Sequence, residues 1–500
     1  MLTVDEIKKF IDDDKTSEKK RFAKVGERYY DGDNDIKQYR LFYYNADGNL
    51  VEDKTRSNVK IPHLFFTELV DQAVQYILSG NRNGERIVRS DDPELQKHMD
   101  KYFNNNDIFM DELAECITDC KVKGFSYIYA YKDANDRYAF ATADSMGVVE
   151  VREKDTDDGC AYVIYYYTVR IDKGHKVITR VQVWSEKDTT YYVMIDDGAL
   201  MLDDSVEINP RPHILYKKSG GKEDDTYYES LGFIPFFRLD NNKKQHSSLR
   251  PIKPLIDDYD LMASSLSNNL IDFDTPLHVV KGYEGDNMDE LQTNLKTKKI
   301  IGTGENGDVD IKTVDVPYQA RKEKMELDEK NIYRFGMGLN TAGLKDTNAT
   351  TNIAIKAAYS LLELQCNKLE IRLKKLLRHL VRIVIEDINK TEKKGYQDSD
   401  VYFKFEHVIM SNAQENAQIK LTEAQTHQVV INTIMSLADT LDDETIIKAI
   451  CDELDIDYEE IKDKLPKDAE KDMADAKQLL DGVVTTSEQA REGSSASTTE

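Results

Sequence analysis

The sequence predicts an α+β protein, because the spacing of its apolar residues changes twice along the chain. Up to residue 123 they recur every three or four positions, as on one face of a helix. Between residues 126 and 196 short segments typical of strands take over, and in one of them residues 177, 179, 181 and 183 alternate with residues 178, 180, 182 and 184. From residue 247 onward helical spacing returns. Helices therefore precede and follow a block of strands instead of alternating with single strands.

Composition excludes several classes of protein. The chain has 500 residues, enough for several domains, and is 40% hydrophobic and 32% charged, so we expect a soluble, mostly folded protein. Its net charge of -25 argues against a protein that coats DNA, but allows one that encloses DNA without adhering to it. The acidic start, MLTVDEIKKFIDDDK, has no apolar core, and no apolar run approaches membrane-spanning length. We therefore expect neither a signal peptide nor membrane contact.

The N-terminal half contains helices followed by strands. Helical spacing covers residues 1–30, 56–80 and 108–123. Segments with the pattern of short strands are 126–131, 137–142, 147–152, 160–171, 176–184 and 190–196. Their connections are too short for crossover helices, so we expect an antiparallel meander and not a nucleotide-binding parallel sheet.

A long helix with prolines near its start follows the strands. Ser247 or Ser248 would open it, and Pro251 and Pro254 would fall in its first turn, where a missing N–H costs little. Residues after this helix, up to 317, are typical of a small strand-rich insert with Gly and Asn turns. A charged helix is then expected over residues 318–336.

The longest predicted helix begins at Asn352 and continues to about Ile388. It would be about 55 Å long at 1.5 Å per residue, which is typical of an element that spans a large assembly. Its predicted buried residues are Ile355, Ala358, Leu362, Leu369, Leu373, Leu376, Leu380, Ile383 and Ile388. Its basic residues are Lys368, Arg372, Lys374, Lys375, Arg378 and Arg382. For these we favour a solvated or inter-subunit face over DNA contact. A strand (401–410) and helices to about residue 465 follow.

The stretch GLNTAGLKDTNATTN, residues 338–352, has the glycine spacing of a phosphate-binding loop. Leu344, however, stands where the lysine of that motif belongs, and Lys345 comes one residue late. The preceding residues form a charged helix and not the buried strand that the motif requires. We therefore interpret the stretch as a hinge, in which Gly338 and Gly343 supply backbone freedom and the small polar residues have no reason to be buried.

Other candidate motifs for chemistry are incomplete. DGDNDI (31–36) starts like a calcium loop but has Ile36 in place of the glycine. DDYD (257–260) has apolar helix neighbours, so a solvated face is favoured over a metal-binding acidic pair. For Cys116 and Cys120, buried thiols are favoured over a metal pair, because no further ligands lie nearby. We expect no enzyme, no cofactor and no metal site.

Four spaced segments together resemble a known family. They are RYYDGDNDI (28–36), VKIPHLFFTELVDQAVQYILSG (59–80), LGFIPFFRLDNN with the helix and apolar strand that follow it (231–283), and the helical residues 411–465. Their order resembles the portal proteins, or head–tail connectors, of SPP1-type tailed bacteriophages. The matching family features are a YY-G-x-x-x-I element, a G-x-IP strand, an N-N turn and an LIDxY helix. One departure is Asn34, where a histidine is common.

The resemblance implies a portal fold with an α+β wing, a two-helix stem, a small α/β clip and a helical crown. The implied regions are the wing (1–246), the first stem helix (247–273), the clip (274–317), the second stem helix (318–337), the tunnel loop (338–351), the long wing helix with its return strand (352–410), the crown (411–465) and an acidic, disordered tail (466–500).

The resemblance also implies a function and a set of partners. The protein would form a homo-oligomeric ring, usually a dodecamer, at the capsid vertex, where double-stranded DNA is packaged and ejected without regard to sequence. Its partners would be the terminase large subunit, a head–tail adaptor protein, the scaffold and the major capsid protein. Assembly would take place in the bacterial cytoplasm, and the product would be part of the virion.

The candidate DNA contacts of the tunnel loop are one lysine and several small polar residues: Asn340, Thr341, Lys345, Asn348, Thr350 and Thr351. In the clip, Lys296, Lys298 and Lys299 would contact either DNA or a docking partner. The acidic surplus elsewhere would repel phosphates, so that a few mobile contacts do not stall the duplex. Two alternatives remain: an acidic scaffold or adaptor without DNA contact, and an ATP-driven DNA enzyme that uses residues 338–352.

Overall fold

The computed structural model describes twelve stretches up to residue 407 and two helical stretches near the C-terminus. The described residues are 2–45, 47–54, 56–82, 84–133, 136–154, 159–196, 198–217, 226–273, 277–281, 308–312, 317–341, 352–407, 413–437 and 443–453. The chain divides into two compact units, Met1–Met410 and Ser411–Glu500, which are described separately. Helices and sheets are mixed in the first unit, as the α+β prediction requires.

The N-terminal segment forms two helices, α1 (Val4–Thr16) and α2 (Glu18–Tyr30), so the prediction of one helix over residues 1–30 is wrong. Ser17 separates them, and its hydroxyl accepts the Lys20 N–H as an N-terminal cap of α2. The hydroxyl of Thr3 and the carboxylate of Glu6 form a capping box at the start of α1. A serine that can cap a new helix therefore interrupts an otherwise continuous apolar pattern.

Helices of the first unit pack around one main core. After α3 (Phe65–Ile77) come α4 (Ser79–Arg82), α5 (Pro93–Met99), a π-helical turn (Asp100–Asn104) and α6 (Asp107–Lys123). The predicted helix over residues 108–123 is confirmed, whereas the one predicted from residue 56 begins only at Phe65. Gly124 ends α6 with a left-handed φ of 97°, which glycine adopts without strain.

The predicted meander is confirmed for its last four strands, whereas the first two predicted strands, 126–131 and 137–142, belong to a separate sheet. Its sheet has the strand order β10-β9-β8-β7-β6, with β11 on β9, and every pairing is antiparallel. The strands are β6 (Val148–Val151), β7 (Tyr162–Ile171), β8 (Lys176–Trp184), β9 (Asp188–Ile195), β10 (Met201–Leu202) and β11 (Arg211–Pro212). One face of this sheet packs against Ile7 and Ile11 of α1.

A smaller sheet links the meander to the helices. Its order is β14-β4-β5, with β4 (Phe125–Lys132) in the centre, β5 (Tyr138–Ala143) on one side and β14 (Phe236–Asp240) on the other. Two-stranded pairings are formed by β1 (Phe42–Tyr44) with β2 (Leu50–Glu52), β12 (Ile214–Lys217) with β13 (Thr226–Glu229), and β3 (Val88–Ser90) with β17 (Val401–Phe403).

Two helices follow β14. The first, α7 (Lys253–Phe273), starts later than predicted, because Ser247 to Ile252 form turns and only Pro254 lies in its first turn. The second, α8 (Tyr318–Gly336), packs against α7 and confirms the prediction for residues 318–336. Between them, β15 (Leu277–Lys281) pairs antiparallel with β16 (Asp308–Lys312). The rest of the predicted insert lies outside the described residues.

The predicted long helix is confirmed as α9 (Asn352–Glu392), with 41 residues and a length of about 60 Å at 1.5 Å per residue. Seven of the predicted buried positions are buried, and all of these except Ile383 belong to the main core: Leu362, Leu369, Leu373, Leu376, Leu380, Ile383 and Ile388. Ala358 is half-buried, and the surroundings of Ile355 lie outside the description. The following strand ends at Phe403, earlier than predicted.

The second unit is described over two helices, α10 (Ala413–Met435) and α11 (Asp443–Glu453). They contact each other, and Ile446 and Cys451 of α11 are buried. The predicted tail, 466–500, lies outside the described residues. Within the described ranges, none of the helices combines the length and the apolar composition needed to cross a bilayer.

Candidate functional site

The predicted channel loop begins at the end of α8, and its first residues are packed on α3. Gly338 is buried, and Leu339 is 7% exposed. The Gln72 side chain binds both backbone groups of Leu339. The Leu339 N–H donates to Gln72 Oε1 at 2.9 Å, and Gln72 Nε2 donates to the Leu339 carbonyl at 3.0 Å. These two residues therefore belong to the core of the subunit.

Close packing, and not backbone freedom, explains the glycine at position 338. A Cβ at Gly338 would lie 2.0 Å from Leu69 Cδ2, and the φ of Gly338 is not positive. The left-handed residue is Met337, with a φ of 56°, which ends α8. The expectation that Gly338 supplies hinge freedom is therefore wrong, because this position requires a missing side chain.

Two further contacts brace the end of α8. The Gln365 side chain of α9 donates from Nε2 to the Gly336 carbonyl at 3.1 Å. The Tyr333 hydroxyl donates to Glu68 Oε2 of α3 at 2.7 Å. The end of α8 is thus tied to both α3 and α9, and any loop that follows starts from a fixed point.

Only two of the predicted site residues are described. Asn340 is half-buried and Thr341 is exposed. The other predicted tunnel-loop residues, Lys345, Asn348, Thr350 and Thr351, lie outside the described residues. The same is true of Lys296, Lys298 and Lys299. The predicted DNA contacts of these seven residues stay predictions.

A ladder of side-chain acceptors on α7 holds the segment before α3. The backbone N–H groups of alternate residues donate to α7 side chains four residues apart: Ser57 to Asp272 (3.1 Å), Val59 to Asn268 (2.6 Å), Ile61 to Ser264 (3.0 Å) and His63 to Asp260 (3.0 Å). Twelve helical residues rise about 18 Å, so six residues of the segment must be nearly extended to match them. This ladder explains why the segment is not helical.

The segment that carries RYYDGDNDI also contacts α7. The Tyr29 hydroxyl donates to Asp257, and the Lys253 ammonium binds Asp257 at 2.7 Å and Asp35 at 2.6 Å. Asn34, 1% exposed, donates from Nδ2 to Asp260 Oδ2 at 2.6 Å. Two of the segments that carry the family resemblance, 28–36 and 231–283, are far apart in sequence but form one polar network.

The carboxylates of DDYD are engaged in contacts within the subunit. Asp260 is 0% exposed and binds Asn34 and His63, so the expectation of a solvated face is wrong for this residue. Asp258 binds the Lys324 ammonium of α8 at 2.5 Å. These carboxylates join α7 to its neighbours. Within the described residues, no group of three or more His, Cys, Asp or Glu side chains is arranged to hold a metal ion.

Three basic residues of α9 hold the chain that returns after it. Arg378 donates to the carbonyls of Asp398 and Val401, and Arg382 pairs with Asp398 at 2.9 Å. Lys374 lies 5.8 Å from the ring centre of Phe405. The expectation of a solvated or inter-subunit face is therefore wrong for Arg378, whereas Arg382, whose side chain is 54% exposed, fits a solvated face. Lys368 and Lys375 are exposed.

An exposed apolar row lies on the first half of α9. Leu361, Leu364 and Ile371 are 38%, 48% and 72% exposed, and their spacing places them on one face. The exposed Lys368 and Lys375 lie on the same face. Large apolar side chains grouped in this way are typical of a protein contact surface.

The cysteine prediction is confirmed for Cys116 and Cys120, which are both fully buried. Burial raises the pKa of the Cys116 thiol to about 12, although a contact with Ser126 lowers it slightly. The Cys120 pKa is raised well above its ordinary value for the same reason. Thiols with these pKa values are not reactive at neutral pH.

Sequence reasoning missed the residues that fix this region. Asp260, Ser264, Asn268 and Asp272 recur every four residues, and that polar row was a usable signal for a ladder on one helix face. Gln72 had no comparable signal, because one glutamine on an amphipathic helix is ordinarily solvated.

Comparison with known proteins identifies related sequences over most of the chain. The family of phage portal proteins described as SPP1 Gp6-like matches residues 8–471. The portal protein of Bacillus phage SPP1 is 26% identical over 397 residues, which cover 79% of this chain and 75% of the relative. The portal protein of Clostridium phage phiCD119 is 23% identical over 408 residues, which cover 78% of this chain and 83% of the relative.

Proposed function

Because the chain belongs to the SPP1 Gp6-like family of phage portal proteins, we propose that it forms the ring through which double-stranded DNA enters and leaves the capsid. The family match over residues 8–471 carries this proposal. The ring is a conduit at the capsid vertex and not an enzyme, and ATP hydrolysis belongs to the terminase large subunit that docks on it.

The ring requires contacts in which one face of a subunit meets a different face of the next. The exposed row of Leu361, Leu364 and Ile371 supports such a contact, because a neighbouring subunit would remove these side chains from water. Lys368 and Lys375 on the same face suit an acidic neighbour in a protein whose net charge is -25.

The structural elements take the following roles in this proposal. Helices α7 and α8 form the stem, and the segment that begins with β15 and ends with β16 forms the clip. The clip docks the terminase during packaging and a head–tail adaptor protein afterwards. Helix α9 spans the wing, and α10 and α11 belong to the crown. Scaffold and major capsid proteins surround the ring, which is assembled in the bacterial cytoplasm and retained in the virion.

The loop between α8 and α9 contacts the moving duplex. Gln72 and Leu69 hold its root, so contact with the duplex begins no earlier than Asn340. Lys345 meets phosphates, and the neighbouring Asn and Thr side chains form hydrogen bonds that do not read sequence. The contacts are exposed and screened by salt, and the acidic surplus repels phosphates. The duplex is therefore guided without being held.

Electron microscopy of the purified protein tests the ring. Class averages of negatively stained particles are expected to contain closed rings with a central channel. A monodisperse monomer under every condition of salt and concentration would overturn the proposal.

A phage with Lys345→Ala, or with residues 342–350 deleted, tests the DNA contact. DNA packaging is expected to fall while ring assembly is retained. Lys390→Ala, which removes one exposed charge from the far end of α9, is the matched control. Normal packaging in both loop variants would favour an acidic scaffold that contacts only proteins. Saturable ATP binding that is lost in Lys345→Ala would favour an ATP-driven enzyme instead.

A further inference from the structure

The outer face of α9 has the residue spacing by which one helix packs along another. Its exposed residues Leu361, Leu364, Lys368, Ile371 and Lys375 form what we call the α9 stripe. Successive members are three, four, three and four residues apart, which is the spacing of residues that meet a partner helix in a coiled coil. The opposite face of α9 is buried in the main core. The α9 stripe is therefore a second packing face that points away from this core.

The centre of the α9 stripe lies well within the described part of the chain. Ile371 is its most exposed apolar member, at 72%, and the helix rises roughly 28 Å from Asn352 to this residue. Lys368 and Lys375 flank Ile371, each about one helical turn away. A purely apolar partner would leave both ammonium groups without an opposite charge. The α9 stripe therefore fits a partner helix that combines an apolar side chain with carboxylates.

Helix α6 has a shorter stripe with this complementary chemistry. Ile108, Asp111 and Glu115 are exposed, and they follow the same spacing of three and then four residues; we call them the α6 stripe. Ile108 is 73% exposed. Desolvation and the nearby carboxylates of Asp119, Asp111 and Glu112 raise the pKa of Glu115, so this side chain lies in a negative field. The α6 stripe is therefore apolar at one end and acidic along the rest.

The two stripes match each other when the helices are antiparallel. If Ile108 lies opposite Ile371, Asp111 lies opposite Lys368, because each charged residue is three positions from its isoleucine in the direction that an antiparallel pair requires. Glu115 follows one turn, or about 6 Å, further along and stays within reach of the same ammonium. This alignment pairs the apolar side chains with each other and the opposite charges with each other.

A second copy of this chain is a partner that carries the complementary stripe. Within one subunit the two stripes cannot meet, because α6 and α9 bury their other faces in the same core and both stripes point away from it. A closed ring of identical subunits requires two different contact faces on each subunit. The α6 and α9 stripes supply one face each.

We propose that α9 of each subunit packs antiparallel on α6 of the next, with Ile371 against Ile108 and the lysines of the α9 stripe against the carboxylates of the α6 stripe. The contact recurs once per subunit around the ring. It removes the most exposed isoleucines of both helices from water. This inference rests on the proposed function, because it requires the ring.

Charge reversal on either helix tests the contact. Lys368→Glu with Lys375→Glu makes both stripes acidic, whereas Asp111→Lys with Glu115→Lys makes both basic. Like charges that face each other oppose association, so each double variant should assemble poorly by itself. The protein concentration at which half of the subunits are in rings, measured by sedimentation, should rise at least about tenfold for each.

A mixture of the two double variants should form rings again. An acidic α9 stripe of one variant then meets a basic α6 stripe of the other, and the reverse holds at the next contact, so rings in which the variants alternate satisfy every contact. Their midpoint concentration should return to within about threefold of the wild-type value. Lys97→Glu with Lys390→Glu is the matched control, because it changes the net charge equally at exposed positions outside both stripes. It should form rings like the wild type.

Cysteine cross-linking locates the contact independently of charge. Cys160 is replaced by serine, because the other four cysteines are buried. Ile108→Cys and Ile371→Cys proteins, assembled together and treated with an oxidant, should then form disulfide-linked dimers that contain one of each. Neither protein should form them by itself, because a disulfide requires Cα atoms within about 7 Å.

Three results would refute this contact and leave the ring intact. They are rings at the wild-type concentration in either double variant, no rings in the mixture of two folded variants, and cross-linking of Ile371→Cys alone, which would show that α9 meets α9. Unchanged urea midpoints establish that the variants are folded. If a charge-reversed variant does not fold, cross-linking decides the outcome. A wild-type protein that forms no ring under any condition would instead overturn the proposed function, and this inference with it.

Discussion

Replacing Gly338 with alanine separates two explanations of this glycine. The new Cβ would lie 2.0 Å from Leu69 Cδ2 and 3.1 Å from Gln72 Oε1. Leu69 is 5% exposed and belongs to the main core, so it has little room to move. The backbone conformation itself allows alanine, because the φ of Gly338 is not positive. Gly338→Ala therefore tests packing without adding backbone strain.

The two explanations predict changes of opposite sign in the free energy of unfolding of Gly338→Ala. Forcing a methyl group into a packed core costs about 1–3 kcal/mol of unfolding free energy. Replacing a glycine at a permitted conformation returns about 0.4–1 kcal/mol by reducing the freedom of the unfolded chain. Close packing therefore predicts a net loss of up to about 2.6 kcal/mol, whereas a glycine present only for flexibility predicts a gain of up to about 1 kcal/mol.

Urea denaturation of Gly338→Ala, with the midpoint converted to free energy at unchanged slope, measures this difference. Gly395→Ala is the control, because no atom lies within 4 Å of the position of its Cβ. Gly338→Ala should lower the unfolding free energy by less when Leu69 is also replaced by alanine, because the clashing methyl group is then absent. A stabilised Gly338→Ala, matching Gly395→Ala, would refute the packing explanation.

Three further predictions concern stability, pH and assembly. Gln72→Leu leaves both backbone groups of Leu339 without partners, which should cost about 1–3 kcal/mol locally and accelerate hydrogen exchange at the Leu339 amide. Burial alone would lower the pKa of His407, but Glu370, 2.8 Å away, outweighs burial and raises it. The wild type should therefore be more stable to unfolding than His407→Gln below pH 6.5, the ordinary pKa of histidine. This difference should disappear as the pH rises through the pKa of His407 in the folded state. A series of urea midpoints at different pH values measures it. Ile371→Glu should weaken ring formation in sedimentation experiments without lowering subunit stability, because this side chain is 72% exposed.

Each of these predictions has a control variant, in which a similar side chain is replaced at another position or the same one is replaced conservatively. Gln319→Leu removes an exposed glutamine that bonds only to the Glu323 side chain, so exchange at Leu339 should not change. His175→Gln, which removes an exposed histidine, is the matched substitution in the same series of urea midpoints. Ile371→Val should assemble normally. The first prediction would be contradicted by unchanged hydrogen exchange at Leu339 in Gln72→Leu. The second would be contradicted if the stability difference between the wild type and His407→Gln did not change with pH. The third would be contradicted by intact rings in Ile371→Glu.

Patterns confined to one element were predictable from the sequence. The meander followed from a series of short strand-like segments, with alternation over residues 177–184, and α9 followed from a long row of leucines and isoleucines at helical spacing. Both patterns reflect burial of one face of a regular element. The break between α1 and α2 was not predicted, because Ser17 is equally compatible with a solvated helix position and with a cap.

Features that join distant parts of the chain were not predictable from local patterns. The residues before α3 have helical spacing, but their N–H groups are taken by side chains of α7 about two hundred residues later. Gly338 suggested a hinge because the α3 side chain that fills its space is equally remote in sequence.

The position of β4 between β5 and β14 makes the meander a removable module. Both neighbours pair with β4, and Ala141 and Phe236 stand opposite the same residue, Tyr129, so they are about 10 Å apart. A linker of a few residues can span that gap. Deleting the meander together with α1, which shares its apolar face, would therefore leave the helical framework continuous. The deletion would also expose Phe125 and Tyr127, which pack with Val148 and Val163 of the meander, so the shortened chain would need polar replacements at these two positions.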